Sequence, residues 1–414
     1  MVDFWFNHFN VFQGKNFMRV LVGHYEHHAI RPFALGRFRD LLGAVTHHPA
    51  MLYYLDNAQS VSNPPEMNNK MVVQGKKKRG LNENFARELL ELHTLGVDGG
   101  YSQKDVIEVA RALTGWTAVP GRGAGMRMQA QIDQAQSTGQ LNNRLVQRGD
   151  FVFLPNQHDP RPKKILGRNF PGLGGPNGYQ EGEQVLDMLA EHPSTAQHIA
   201  KKLVIRFVDD HPDPALINKL AQQFRRSHGD TKAMLIALVE SPEFWKTRSS
   251  KVKSPLEYYA SMMRALGGQV DLAQLENQGR ARVLGKWFEK MGQQLYYYQA
   301  PTGFPDRAEQ WINSGTLVSR INFAFALCGS QIPGLVLPQQ QLQSVSKDLQ
   351  SSAQYLMPGR DIEATVAQVS ASSSKPEFFQ SLKKNQEMAV DHEKFSSNQR
   401  NLALILSSPE FQKR

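Results

Sequence analysis

Apolar positions along most of the chain recur three and four residues apart, the spacing of one buried helix face. Residues 19–30 form one such stretch, ended before Pro32, and residues 34–48 form the next. In the latter, Leu35, Phe38, Leu41, Leu42 and Val45 line one side before Pro49. The spacing predicts another amphipathic helix over 84–95, with Phe85, Leu89 and Leu92 as its stripe and Gly96 as its C-terminal cap. Ser102 and Asp105 are spaced as a capping box, opening a helix that turns Val106, Val109, Ala110 and Leu113 inward and runs to Gly115. Beyond Gln180 nearly everything reads as helix, over 193–209, 214–226, 232–239 and 255–266.

The helical period lapses in one region. Residues 118–150 turn to Gly, Gln, Asn, Ser and Arg, the composition of a surface excursion. Short apolar runs at 151–154 and 164–166 flank the turn-rich Pro155-Asn156-Gln157-His158-Asp159-Pro160, and together predict a small hairpin. The stretch Gly174-Gly175-Pro176-Asn177-Gly178 lacks the Gly-Lys-Ser/Thr ending of a phosphate cradle and reads as a plain loop. The expected fold is mainly α, a multi-helical globule with one small inserted β-hairpin near residues 151–166. Residues 1–117 form a helical lobe and 118–178 a polar insertion with the hairpin and Gly-rich loop. Residues 179–414 form a second helical lobe, the three segments making one domain overall.

A recurring phrase punctuates the C-terminal half. Ser241-Pro242-Glu243-Phe244 and Ser408-Pro409-Glu410-Phe411 each follow an apolar helix, and Lys375-Pro376-Glu377-Phe378 is a looser copy. Each reads as a helix halted by proline and followed by a phenylalanine that packs back. At the other end, Val2, Phe4, Trp5, Phe6, Phe9, Val11 and Phe12 make an apolar cluster where termini are usually polar. Either a preceding segment is missing or the first helix enters the core directly. These residues do not have the basic-then-apolar order of a signal peptide, and no run of about 18 apolar residues offers a membrane span.

Charge adds a little. Lys and Arg number 48 against 38 Asp and Glu, a net charge of +10 that favours anionic neighbours such as nucleic acid, lipid or acidic polysaccharide. The positive charge is spread out, and its one dense run, Lys76-Lys77-Lys78-Arg79 between Gly75 and Gly80, reads as a solvated loop. No groove-binding motif or aromatic stacking platform accompanies it, so sequence-specific nucleic-acid binding is not expected. The lone Cys328 excludes an intramolecular disulfide and a multi-cysteine zinc site, and its apolar setting suits a buried inert thiol.

Three constellations could carry chemistry. On the 84–95 helix, Glu83, Arg87 and Glu91 are four apart and share a face, while Glu88 and Glu91 are three apart, as carboxylate metal sites prefer. Catalytic or divalent-metal carboxylates compete here with a plain salt-bridged helix, because the Glu-x-x-His spacing of di-iron bundles is absent. His24, His27 and His28 put three imidazoles on one helix face, open to zinc or copper, or to the ordinary reading of surface histidines. His158-Asp159, followed by Lys163 and Lys164, offers an acid–base pair on a loop, against an Asp making a local turn bond. Arg111 is a possible partner for these carboxylates. Gly-x-Ser-x-Gly, His-Glu-x-x-His and dinucleotide fingerprints are missing.

Several phrases occur together in a fixed order: Phe4-Trp5-Phe6-Asn7-His8-Phe9, His48-Pro49-Ala50-Met51-Leu52 with Tyr54-Leu55-Asp56-Asn57, Asn82-Glu83-Asn84-Phe85-Ala86-Arg87-Glu88-Leu89, Ala110-Arg111-Ala112-Leu113-Thr114-Gly115-Trp116 and His158-Asp159. Pro301-Thr302-Gly303-Phe304-Pro305-Asp306, Trp311-Ile312-Asn313-Ser314-Gly315-Thr316-Leu317 and the Ser-Pro-Glu-Phe ending follow. Over essentially its whole length the chain resembles the bacterial family known as domain of unknown function 1800. The resemblance implies a periplasmic or extracellular protein, and an N-terminal export segment that this chain lacks. It also implies a partner, an exported sulfatase-like protein of the family of unknown function 1501. It supplies no agreed reaction. The leading expectation is an accessory or binding protein acting with that partner. The rivals are a hydrolase-like or metal-dependent enzyme using Glu83, Arg87, Glu88 and Glu91 with His158 and Asp159, and a binder of acidic polymer through the basic surface.

Overall fold

Prolines and side-chain caps cut the chain into short helices. The computed structural model describes residues 1–62, 80–119, 130, 146–247, 250–276, 279–345, 348–373, 390 and 395–414. The Lys76–Arg79 run, the Lys375–Phe378 phrase and most of the 118–150 excursion lie outside these residues. The architecture is mainly helical with a few short antiparallel strands, as the sequence pattern leads one to expect. Two compact units form. The first comprises Met1–Val204, Pro212–Ser241 and Tyr298–Gly303; the second comprises Ile205–His211, Pro242–Tyr297 and Phe304–Arg414.

In the first unit, the helix Val2–His8 buries Phe4, Trp5 and Phe6 at once. The Trp5 indole N–H donates to the Ala34 carbonyl at 3.0 Å, which anchors this helix against the chain just after the Arg31–Phe33 turn. Met18–Tyr25 runs into a π-helical turn, Glu26–Ile30, and Pro32 ends the run in a single 3-10 turn. Phe38–His47 follows. Pro49 then opens Pro49–Tyr54 at the first helical position, where its missing N–H is not needed. Asn84–Glu88 passes into a second π-helical turn, Leu89–Thr94. Gly96, at φ +86°, closes it as the sequence suggests. Gln103–Ala112 begins with the expected capping box, Ser102 and Asp105 each bonding the other's backbone N–H.

Both strands expected near 151–166 exist, but they do not pair with each other. Phe151–Phe153 is the centre of a three-stranded sheet, flanked by Trp116–Ala118 and Val146–Arg148. Lys163–Ile165 pairs instead with Arg168–Phe170. Turn chemistry decides this. Leu166 and Gly167 both take positive φ (48° and 81°), the two-residue I′ turn that matches strand twist, and Gly149 at φ +60° supplies the tight turn before Phe151. The intervening Pro155–Asp159 is thus free to fold inward. Gly115 is obligatory at this junction: its φ is +81°, and a Cβ there would lie 2.6 Å from the Leu154 carbonyl oxygen.

The second unit buries Tyr258 and Met262 of Pro255–Ala265, Trp287 and Phe288 of Arg280–Lys290, Phe323 and Phe325 of Ser314–Cys328, and Leu402 and Leu406 of Ser397–Ser407. Cys328 lies in this core, and burial pushes its thiol far up, which makes it inert. The Ser-Pro-Glu-Phe phrases start helices as well as stop them. Pro242 and Pro409 each open a short helix, and the Ser408 hydroxyl caps the second by accepting from the Phe411 N–H at 3.2 Å. Among the described residues no helix is long and apolar enough to cross a membrane.

Candidate functional site

The residues singled out by sequence fall into three separate places within the first unit. On Asn84–Glu88, Arg87 bonds Glu83 at 3.2 Å and Gln103 at 2.9 Å, and Gln103 returns a bond to Glu83 at 2.7 Å. All three are half-exposed or exposed, so this is a surface cluster contributing about 0.2–0.5 kcal/mol per ion pair. Glu91 leaves that face because the helix widens to the π form after Glu88, where Leu95 N–H reaches back five residues to Leu90. It accepts from the Tyr101 hydroxyl at 3.1 Å instead.

Glu88 sits between these groups. Among the described residues it has no hydrogen-bond or ion-pair partner, and burial together with the Glu91 charge raises its carboxyl above the usual range. The Tyr54 phenol is pushed up to about 12 by burial and then by the Glu88 charge, while its hydroxyl donates to the Gln299 carbonyl at 2.7 Å. Tyr101 is likewise held up at about 12, by desolvation and its bond to Glu91.

His158 and Asp159 lie elsewhere, at the inward fold of Pro155–Asp159. No hydrogen bond or ion pair among the described residues joins them to Glu83, Arg87, Glu88 or Glu91. Asp159 is gripped by Arg111, at 2.9 and 3.2 Å, and by the Arg161 guanidinium and N–H. Those bonds hold its carboxyl far below the ordinary range despite burial. Arg111 also meets Glu108 at 2.6 Å. His158 Nε2 is 3.1 Å from Glu181 Oε2, and its Nδ1 faces the Thr114 carbonyl at 3.0 Å. Lys163 completes the cluster, donating to Glu181 at 2.6 Å and to the carbonyls of Asp159 and Arg161 at 2.6 and 3.0 Å. Burial lowers its ammonium and Glu181 opposes that. The side chains of His158, Asp159, Lys163 and Glu181 are no more than 2% exposed. This buried cluster, bonded through Glu181 Oε2 while Oε1 has no hydrogen-bond partner, clasps the inserted strands to the helix Tyr179–Glu191. Its outer edge is the Arg161 guanidinium, which is 58% exposed.

The histidines on the first long helix do not converge on a metal. His24 Nδ1 is 2.8 Å from His48 Nε2, His28 Nδ1 turns back to the His24 carbonyl, and His24 and His28 stack with centroids 3.9 Å apart. His27 packs edge-on against His28. No group of three or more His, Cys, Asp or Glu among the described residues is placed to hold a metal ion, and that covers His24, His27, His28, Glu88 and Glu91.

Sequence reasoning missed a buried imidazole cluster. His8 Nε2 lies 3.0 Å from the His93 carbonyl, and His198 Nε2 lies 3.0 Å from the Leu92 carbonyl. A carbonyl only accepts, so both imidazoles carry their proton on Nε2 and satisfy carbonyls at the end of the π turn. Gly96 makes room: a Cβ there would lie 2.8 Å from His198 Nδ1. His8 and His93 are 1% exposed. The only sequence signal was a π turn that no simple period reveals.

No curated protein and no solved structure matches the chain. The model of one protein family, described as a protein of unknown function, does match, over residues 1–413. With that match spanning nearly the whole length, the chain belongs to the DUF1800 family.

Proposed function

We propose that the protein is a non-catalytic binding or accessory protein of the bacterial envelope, acting with an exported sulfatase-like partner. One observation carries the non-catalytic half of this reading: His158 and Asp159, the best acid–base pair in the sequence, are sealed with Arg111, Lys163 and Glu181. A general base must reach a substrate proton, and these cannot. The partner class rests on the family resemblance. Mixing the purified chain with the purified sulfatase-like protein of the same bacterium, each at about 10 μM, should give a faster-sedimenting complex in analytical ultracentrifugation. Two species that sediment independently at that concentration defeat the partner reading.

A second reading draws on Glu88. A half-buried carboxylate next to Glu91, holding its proton above the usual range, is the kind of group that serves as a general acid. Tyr54 reports on it, since the Glu88 charge helps to hold the phenol up. Glu88→Gln should therefore move one tyrosine to a lower titration point, read by ultraviolet absorbance in the intact chain. An unchanged titration curve removes Glu88 from the vicinity of Tyr54 and with it this second site.

A further inference from the structure

A cavity of about 560 Å³ opens within the second unit, lined in part by Lys253, Glu257, Arg264, Leu356, Phe411 and Arg414. Its volume falls in the range of small-molecule sites, roughly 300–1,000 Å³. Its charge is lopsided. Glu257 is the single side-chain carboxylate in the lining, and it is engaged: Oε1 meets Arg206 at 2.9 Å and Arg414 at 3.2 Å, and Oε2 accepts from the Ser254 N–H at 2.9 Å.

Lys253 is 8% exposed. Its ammonium donates to the Phe411 carbonyl at 2.6 Å and lies 4.1 Å from the centroid of the Phe411 ring. Among the described residues no carboxylate pairs with it, nor with Arg264 on the rim. Behind the wall, Arg320 is completely buried and bonds the Lys253 carbonyl at 2.9 Å and Gln412 at 3.4 Å, again with no carboxylate among the described residues. Lys253 and Arg320 both feel the Glu257 charge, but neither has a carboxylate as a direct partner, and buried cations so placed are costly unless something anionic completes the site. Burial first, and then the Arg360 charge, lowers the Lys253 ammonium to about 8, a shift that a bound anion would reverse. Leu356 and Phe411, 7% and 3% exposed, supply the apolar edge of the lining beside the ammonium.

We propose that this cavity binds an anionic small molecule, its oxyanion group held by Lys253 and Arg264 and a ring-sized apolar body lying on Leu356 and Phe411. Lysine supplies the point charge and arginine the planar donors that phosphate or sulfate esters accept. The cavity lies within one unit and needs no partner protein.

Calorimetric titration of the full chain with phenyl phosphate tests this, with inorganic phosphate and phenol as comparison ligands. Phenyl phosphate should bind, and phenol should give no heat. Inorganic phosphate should bind about tenfold more weakly than the ester, for want of the apolar contact. Lys253→Met should weaken the ester about tenfold or more. Because Lys253 is buried, Arg264→Glu on the exposed rim serves as the second variant and should weaken binding without a change in melting temperature. Absence of binding at about 1 mM phenyl phosphate, or equal affinity in Arg264→Glu and the parent chain, overturns the proposal. Equal affinity for inorganic phosphate overturns its apolar half.

Discussion

Replacing Glu181 by leucine should destabilise the chain by about 3–5 kcal/mol, the usual consequence of stranding one member of a buried ion pair. The side chains of Glu181 and Lys163 are 1% and 0% exposed and lie 2.6 Å apart, so the Lys163 ammonium would lose its salt-bridge partner in a dry site and keep only the Asp159 charge nearby. His158 would lose its Nε2 partner in the same step. The double variant Lys163→Met/Glu181→Leu removes both charges together and should recover most of the loss, because two apolar groups of similar volume desolvate at little cost. Urea unfolding of the parent chain, Lys163→Met, Glu181→Leu and the double variant gives the coupling energy directly, and it should exceed about 2 kcal/mol. The result bears on function. If Glu181→Leu unfolds at the same urea concentration as the parent chain, the carboxylate is not confined against Lys163. The cluster would then be accessible to chemistry, and the non-catalytic reading would lose its support.

How much of this was legible in the sequence depends on whether a feature is local. The helices over 214–226 and 255–265 follow from capping residues and apolar spacing to within a residue, and the helix opened by Ser102 ends at Ala112, short of the expected Gly115. The strands at 151–153 and 163–165 were legible as strands, yet their partners were not, because pairing was settled by Leu166-Gly167 and Gly149. Glu83, Arg87 and Glu91 were read as one face of an α-helix, and the π turn beginning at Leu89 rotated Glu91 off it. His158 and Asp159 drew notice as neighbours in a turn, while Glu181, which gives them their meaning, stands 23 residues from His158 in an ordinary-looking first helical turn. Long-range polar partners leave no periodic trace. Exposure also decides role, and a loop composition such as Pro155-Asn156-Gln157-His158 reads as surface until the chain is seen to tuck inward.

Acid should begin to destabilise this chain before its carboxylates titrate. His8, His48 and His93 are buried, and all three are held below the ordinary imidazole range, His48 and His93 at about 3. Burial is the first cause in each. The Lys202 charge adds to it at His8 and His93, and the charges of His24 and His28 add to it at His48. Half-buried His198 follows at about 4. Since the folded values lie below the unfolded value near 6.5, the unfolded chain takes up protons first as pH falls. Above about pH 7.5 these imidazoles are neutral in both states and contribute no slope. Below 6.5 each costs about 1.4 kcal/mol per pH unit until its folded value is reached, so the three buried ones together cost about 4 kcal/mol per unit. A domain stability of roughly 5–15 kcal/mol is then consumed within two or three units. The carboxylates act later: Glu183, held down to about 2 by His47 and Arg39 against its burial, gives up its contribution only as pH drops from about 4 toward 2. Melting followed by circular dichroism should therefore fall steeply between pH 6.5 and 4.5. In His93→Phe, whose apolar ring fits among Phe9 and its neighbours, the slope should be shallower by one histidine's share. A melting temperature that stays level from pH 7 to pH 5 would mean that these imidazoles reach solvent in the folded chain, and the π turn that His8 and His198 cap would need another source for its missing hydrogen bonds.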